Sequence, residues 1–148
     1  RNLKHGIRMI VLADFARLIG VDQLHIGTGI GKLEGNIKDV KELKDEIEKS
    51  KVTETNLRLK QDWHKLKPVM GVCSGGLHPG HIPYLIRNLG KDIIIQMGGG
   101  IHGNKLGSML GARAAREVID SCVKNIPLKS YVERFPELRA TLKQFGKK

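Results

Sequence analysis

An α/β fold with a parallel sheet is what this sequence predicts, and three observations predict it. Three short apolar stretches, residues 23–27, 69–73 and 93–95, have strand character. Each runs into glycines, and each is followed by a helical pattern, at 38–49, 80–89 and 108–124. Strands linked by helices in this order pair in parallel through right-handed crossovers. Two architectures fit: a small open sheet, or part of a β/α barrel, whose complete form takes about 250 residues. Both place ligands beyond the C-terminal ends of the strands, where these glycines fall.

Taken in order, residues 7–19 put Ile7, Ile10, Val11, Phe15, Leu18 and Ile19 on one helical face, expected to pack inward, and Gly20 is a C-terminal stop. The strand 23–27 leads into a loop with glycines at 27, 29, 31 and 35, which bar helix and sheet and let the chain move. Lys32 stands between two of them, with Glu34 beside it. The charged helix 38–49 has Ile37, Val40, Leu43 and Ile47 as its inner stripe. Residues 50–67 are polar and weakly periodic, predicting mostly loop, with Trp63 packing it onto the body. The strand 69–73 turns through Ser74-Gly75-Gly76 toward a helix with Ile82, Leu85, Ile86 and Leu89 inward. Ile93-Ile94-Ile95 predicts a strand buried on both faces. Gly98-Gly99-Gly100 opens a loop through Gly107, and 128–134 and 136–145 form a helical tail, Pro136 suiting a first turn.

The chain's 148 residues suffice for one domain with a core, and its 40% hydrophobic content fits a soluble globular protein. No apolar run approaches a membrane span, so no membrane partner is expected. Cys73 and Cys122 offer neither a disulfide framework nor a metal spacing, which predicts a reducing, cytoplasmic setting. An Arg at position 1 suggests a piece of a longer chain, and nothing after it reads as a signal peptide. The net charge of +11 raises nucleic acid as a partner. The basic residues are scattered, however, and 4% aromatic content is thin for a base-stacking platform, so nucleic acid is not expected.

The loops carry the chemistry. Glycine segments at equivalent ends of neighbouring strands let backbone N–H groups close on an anion, and Ser74 adds a hydroxyl. The competing reading is tight turns that need positive φ. His25 at a strand end can donate to an anion or be structural. Lys32 can stabilise developing negative charge or be a solvated lysine, and Glu34 can hold it or be an exposed charge. His78, His81 and His102 lack a zinc spacing and are expected to be structural. Spacing thus reaches an anion-binding α/β unit with a mobile lysine loop.

Together these residues resemble the large subunit of ribulose-1,5-bisphosphate carboxylase/oxygenase (RuBisCO). The run from His25 through Gly-Thr-Gly-Ile-Gly-Lys-Leu-Glu-Gly is similar to that family's sixth barrel strand and its closing loop. Cys73-Ser-Gly-Gly-Leu-His-Pro-Gly-His is similar to strand seven and its loop, and Gln96-Met-Gly-Gly-Gly-Ile-His-Gly to strand eight and its phosphate loop. Order and spacing agree over essentially the whole chain, and the last two motifs are closest to the archaeal-type form III.

The resemblance implies the C-terminal part of a (β/α)8 barrel over residues 1–127 and a helical tail over 128–148. It implies carboxylation of ribulose 1,5-bisphosphate with CO2, or reaction with O2. Lys32 matches the lysine that stabilises the carboxylated intermediate, and Glu34 the glutamate that positions it. His25 matches a phosphate contact and Ser74 a sugar contact, with Gly75 and Gly76 beside it. Gly98 and Gly99 match the amides gripping the other phosphate, with Gln96 and Met97 leading into them. The resemblance also implies Mg2+ on a carbamylated lysine, an aspartate and a glutamate, none of which has a counterpart here, and active sites shared between subunits of a homodimer or larger assembly. This polypeptide alone is therefore expected to be inactive, and ordered only beside the remainder of the subunit. The alternatives are a RuBisCO-like sugar-phosphate enolase or isomerase, against which the retained Lys32 argues, and a basic phosphate- or nucleic-acid-binding module.

Overall fold

The structure, a computed structural model, describes residues 5–30 and 36–146. Three parallel strands carry it: β1 (Gln23–His25), β4 (Met70–Ser74) and β5 (Ile94–Gln96), in the order β1-β4-β5. Gln23 pairs with Met70, and Ser74 with Gln96, so the strands finish nearly level at their C-terminal ends. Two short strands, β2 (Lys51–Val52) and β3 (Gln61–Asp62), form a separate antiparallel pair. The segment expected to be loop is pinned by this pair.

The helices are α1 (Met9–Leu18), α2 (Ile37–Glu48), α3 (Ile82–Leu89), α4 (Gly99–His102), α5 (Ser108–Val123), α6 (Leu128–Arg134) and α7 (Pro136–Phe145). Helix α2 starts on Asn36, whose side chain accepts from the Asp39 amide at 2.9 Å, and buries Val40, Leu43 and Ile47 as expected. Helix α3 follows a 3-10 turn at Pro79–His81 and buries Ile82, Leu85 and Leu89. One apolar cluster lies between the sheet, α2 and α3. A second gathers α5, α6 and α7 around Val118 and Leu138.

Three expectations are corrected. Helix α1 buries Ala13 and Arg17, while Ile7, Val11, Phe15, Leu18 and Ile19 stay exposed. Its inward side is chosen by Arg17, whose guanidinium donates to the Glu46 and Lys49 carbonyls at 2.6 and 2.7 Å and lies 4.8 Å from the Trp63 ring centroid. Carbonyls at the C-terminal end of α2 attract a cation, and that anchor outweighs the hydrophobic stripe. Second, β5 is half-buried, because it is the last strand of the described sheet and has a neighbour on one side only. Third, the stretch after Gly98 is not all loop, since α4 forms within it.

Trp63 is buried as expected, and its indole N–H donates to Glu46 Oε1 at 3.0 Å. Burial, and then Asp14, push the Glu46 carboxyl above its ordinary range, against Trp63, Arg58 and Arg17. A second buried carboxylate fastens the tail: Arg113 Nε lies 3.3 Å from Glu117 on its own helix and 2.8 Å from Glu137 on α7.

Candidate functional site

The level strand ends bring the expected residues into one neighbourhood. His25 ends β1, Ser74 ends β4 and Gln96 ends β5. His25 Nδ1 and Ser74 Oγ are 2.7 Å apart. The direction of this bond follows the imidazole tautomer, and when the serine hydroxyl donates, Nε2 is the ring nitrogen left to donate to an anion. His25 and Gln96 also line one cleft of about 500 Å3 with Gln23, Val72, Ile94 and Ile95. Met97 has its side chain packed against both apolar clusters, leaving its main chain at the loop.

Gly75 and Gly76 take φ of 116° and 67°, so the turn after β4 needs residues without a Cβ. Gly98 has φ −80° and Gly99 lies in α4. A Cβ at either would meet nothing within 4 Å among the described residues. Here the fold makes no demand for glycine, and its absence of side chain leaves the first amides of α4 open to a close approach. Gly100 differs again. A Cβ there would fall against the Leu77 carbonyl and within 2.6 Å of His78 Cα, so this glycine seats the β5 loop directly on the β4 loop.

Lys32 and Glu34 lie outside the described residues, but both ends of their loop are described. Ile26, Thr28 and Ile30 are buried, and the Thr28 hydroxyl bonds to Ile30. Gly29, at φ 59°, sits so close to Ile37 that a Cβ would lie 2.9 Å from its amide. Gly29 and Ile37, one on each side of residues 31–35, are therefore in close contact. Burial lowers the basicity of His78, whose ring lies against that of His81, tilted by 36° with centroids 3.5 Å apart. The Cys73 thiol is pushed by burial up to about 11, so it is a packing residue. Among the described residues no group of three or more His, Cys, Asp or Glu could hold a metal ion.

Sequence reasoning did not find Gly100 as a packing residue, nor the links from α7 to both loops through Gln144 and Phe145. The run of three glycines hid two different roles, an open pair at Gly98 and Gly99 and a packing contact at Gly100. Gln144, on a charged helix, carries no periodic or spacing signal.

Fold and site together define a parallel α/β unit with glycine-bearing loops at the C-terminal ends of its strands. Residues 1–145 match the model of the ribulose bisphosphate carboxylase large chain, catalytic domain, and the chain belongs to that family. It is 46% identical to the ribulose bisphosphate carboxylase of Archaeoglobus fulgidus, over 99% of this chain and 34% of that protein. To the Methanosarcina mazei enzyme it is 44% identical, over 100% of this chain and 35% of that protein. The crystal structure of an archaeal RuBisCO superposes with a TM-score of 0.87 at 41% identity, covering 99% of this chain and 34% of that one. The dimeric enzyme of Hyperthermus butylicus also gives 0.87, at 38% identity, with 99% and 34% covered. The chain thus spans about a third of the length of the relatives it matches. No helix among the described residues is long and apolar enough to cross a membrane.

Proposed function

We propose that this chain is the phosphate-holding part of a RuBisCO large subunit, the lyase that joins CO2 to ribulose 1,5-bisphosphate and, with one water, cleaves the adduct to two molecules of 3-phosphoglycerate, with O2 as the competing gas. In this reading residues 1–127 are strands six to eight of a (β/α)8 barrel with their helices, and 128–148 are its tail. His25 donates to one phosphate. Ser74 holds the sugar beside Gly75 and Gly76, and Gly98 and Gly99 present amides to the other phosphate, with Gln96 and Met97 leading into them. Lys32 stabilises charge developing on the carboxylated intermediate, and Glu34 positions it. Mg2+ would be held by residues outside this chain and would supply Lewis-acid polarisation of the substrate oxygens. The assembly is a cytoplasmic homo-oligomer.

The observation that carries the reading is the pair Gly98 and Gly99, glycines for which the fold itself gives no reason, one strand away from the His25–Ser74 pair. Helix-start amides freed of side chains bind phosphate oxygens. The test is a titration of ribulose 1,5-bisphosphate into the complete subunit bearing this sequence, wild type against Gly98→Ala. The variant is expected to bind at least tenfold more weakly, about 1.4 kcal/mol or more. Equal affinity overturns the assignment of these amides. Product analysis of the wild type decides the chemistry: 3-phosphoglycerate supports a carboxylase, and a rearranged sugar phosphate an isomerase.

A further inference from the structure

We infer that α7 is a positioning element shared by both anion loops, and that Gln144 shapes the site without touching its ligand. The inference rests on the function proposed above. Helix α4, whose first residues include Gly99, is four residues long. One turn has little stability of its own, because nucleation is unfavourable, so its orientation follows from what grips it. Gly100 seats one side of it on Leu77 and His78. Its far end is held by α7. Gln144 Nε2 donates to the Gly103 carbonyl at 2.7 Å, and the Lys105 amide donates to Gln144 Oε1 at 2.9 Å. Between these, the buried Asn104 side chain donates to Thr141 Oγ1 at 2.7 Å.

The same helix reaches the other loop. Phe145 stacks on His78, with ring centroids 5.4 Å apart and an interplanar angle of 15°. A Cβ on Gly80 would fall on the Gly146 carbonyl, so the end of α7 lies flush against the turn that follows Ser74-Gly75-Gly76. One rigid element therefore sets the relative placement of the serine loop and the glycine-amide loop. Gln144 uses both ends of its amide to do so: a glutamate keeps the acceptor and loses the donor, and an alanine loses both.

The experiment compares wild type, Gln144→Glu and Gln144→Ala in the complete subunit, by steady-state kinetics with ribulose 1,5-bisphosphate and by amide hydrogen exchange. Gln144→Ala is expected to raise KM five- to tenfold with kcat within twofold, and to speed exchange at residues 98–105 at least fivefold while β1 and β4 are unchanged. Gln144→Glu is expected to fall between it and wild type. Unchanged exchange at 98–105, or exchange raised evenly through the chain as in general destabilisation, overturns the positioning role. Faster local exchange with unmoved KM overturns the link from α7 to the ligand. A wild-type subunit that does not bind the bisphosphate overturns the proposed function instead, and the exchange pattern still decides whether α7 positions the loop.

Discussion

Gly75 and Gly76 sit at φ of 116° and 67°, whereas Gly98 has φ −80° and Gly99 is helical. Both pairs follow a strand, yet the backbone requires the first to be glycine and does not require it of the second. A glycine explained by its own dihedral says nothing about a ligand. One that could carry a side chain without strain or collision leaves its amide open to a close approach. The sequence showed both pairs as the same motif, and only the coordinates separate the turn from the opening. Gly100, next in line, belongs to neither class, since it is required by the contact between the two loops.

Substitutions sharpen this contrast, beginning with the most damaging. Gly100→Ala drives a methyl into the Leu77 main chain and should cost about 2–3 kcal/mol of stability in a thermal or urea melt; a cost under about 0.5 kcal/mol would mean the two loops are not in close contact. Gly76→Ala should cost about 1–2 kcal/mol, the penalty of a left-handed conformation for a residue with a Cβ. Its weaker bisphosphate binding should follow that loss of stability. At the other extreme, Gly98→Ala should move the melting midpoint by less than about 0.5 kcal/mol while binding falls at least tenfold. Equal stability losses for Gly76→Ala and Gly98→Ala would erase the distinction.

A pH experiment examines the fastening of α7. Burial first, and then the neighbouring Glu137, push the Glu117 carboxyl from 4.5 up to about 7, against the pull of Arg113. The folded chain thus holds this proton more tightly than the unfolded one. The resulting stabilisation is complete below about pH 4.5 and is lost as pH rises through about 7. Glu117→Gln should flatten that part of the stability–pH curve and raise stability at pH 8 by about 1–2 kcal/mol. Urea midpoints measured at pH 5 and pH 8 give the comparison, and an unchanged slope in the variant would place the titration elsewhere.

Much of the fold was legible because its signals were local. The stripe of Val40, Leu43 and Ile47, the apolar run before Ser74 and Pro136 at the start of α7 each announce their element within a few residues. What failed was non-local. Helix α1 reads as amphipathic with Phe15 inward, yet Arg17 turns it, because its partners, the carbonyls of Glu46 and Lys49, lie about thirty residues away in sequence. The β2–β3 pair escaped for a similar reason, having two residues per strand and no alternation to detect. At the candidate site, His25, Ser74 and the glycines were visible as residue types at strand ends. The contact between His25 and Ser74, and the differing reasons for each glycine, depend on register and on packing that spacing does not encode.

That contact has a consequence for assembly. His25 and Ser74 are 49 residues apart in sequence, and they meet only when β1 and β4 have paired with Gln23 opposite Met70. A slip of one residue would turn His25 to the other face of the sheet. Pairing this distant costs more loop-closure entropy than the contacts among α5, α6 and α7, which short loops join. The hydrogen bond between imidazole and hydroxyl therefore reports the register of the sheet: a chain that has made it has paired β1 with β4 correctly.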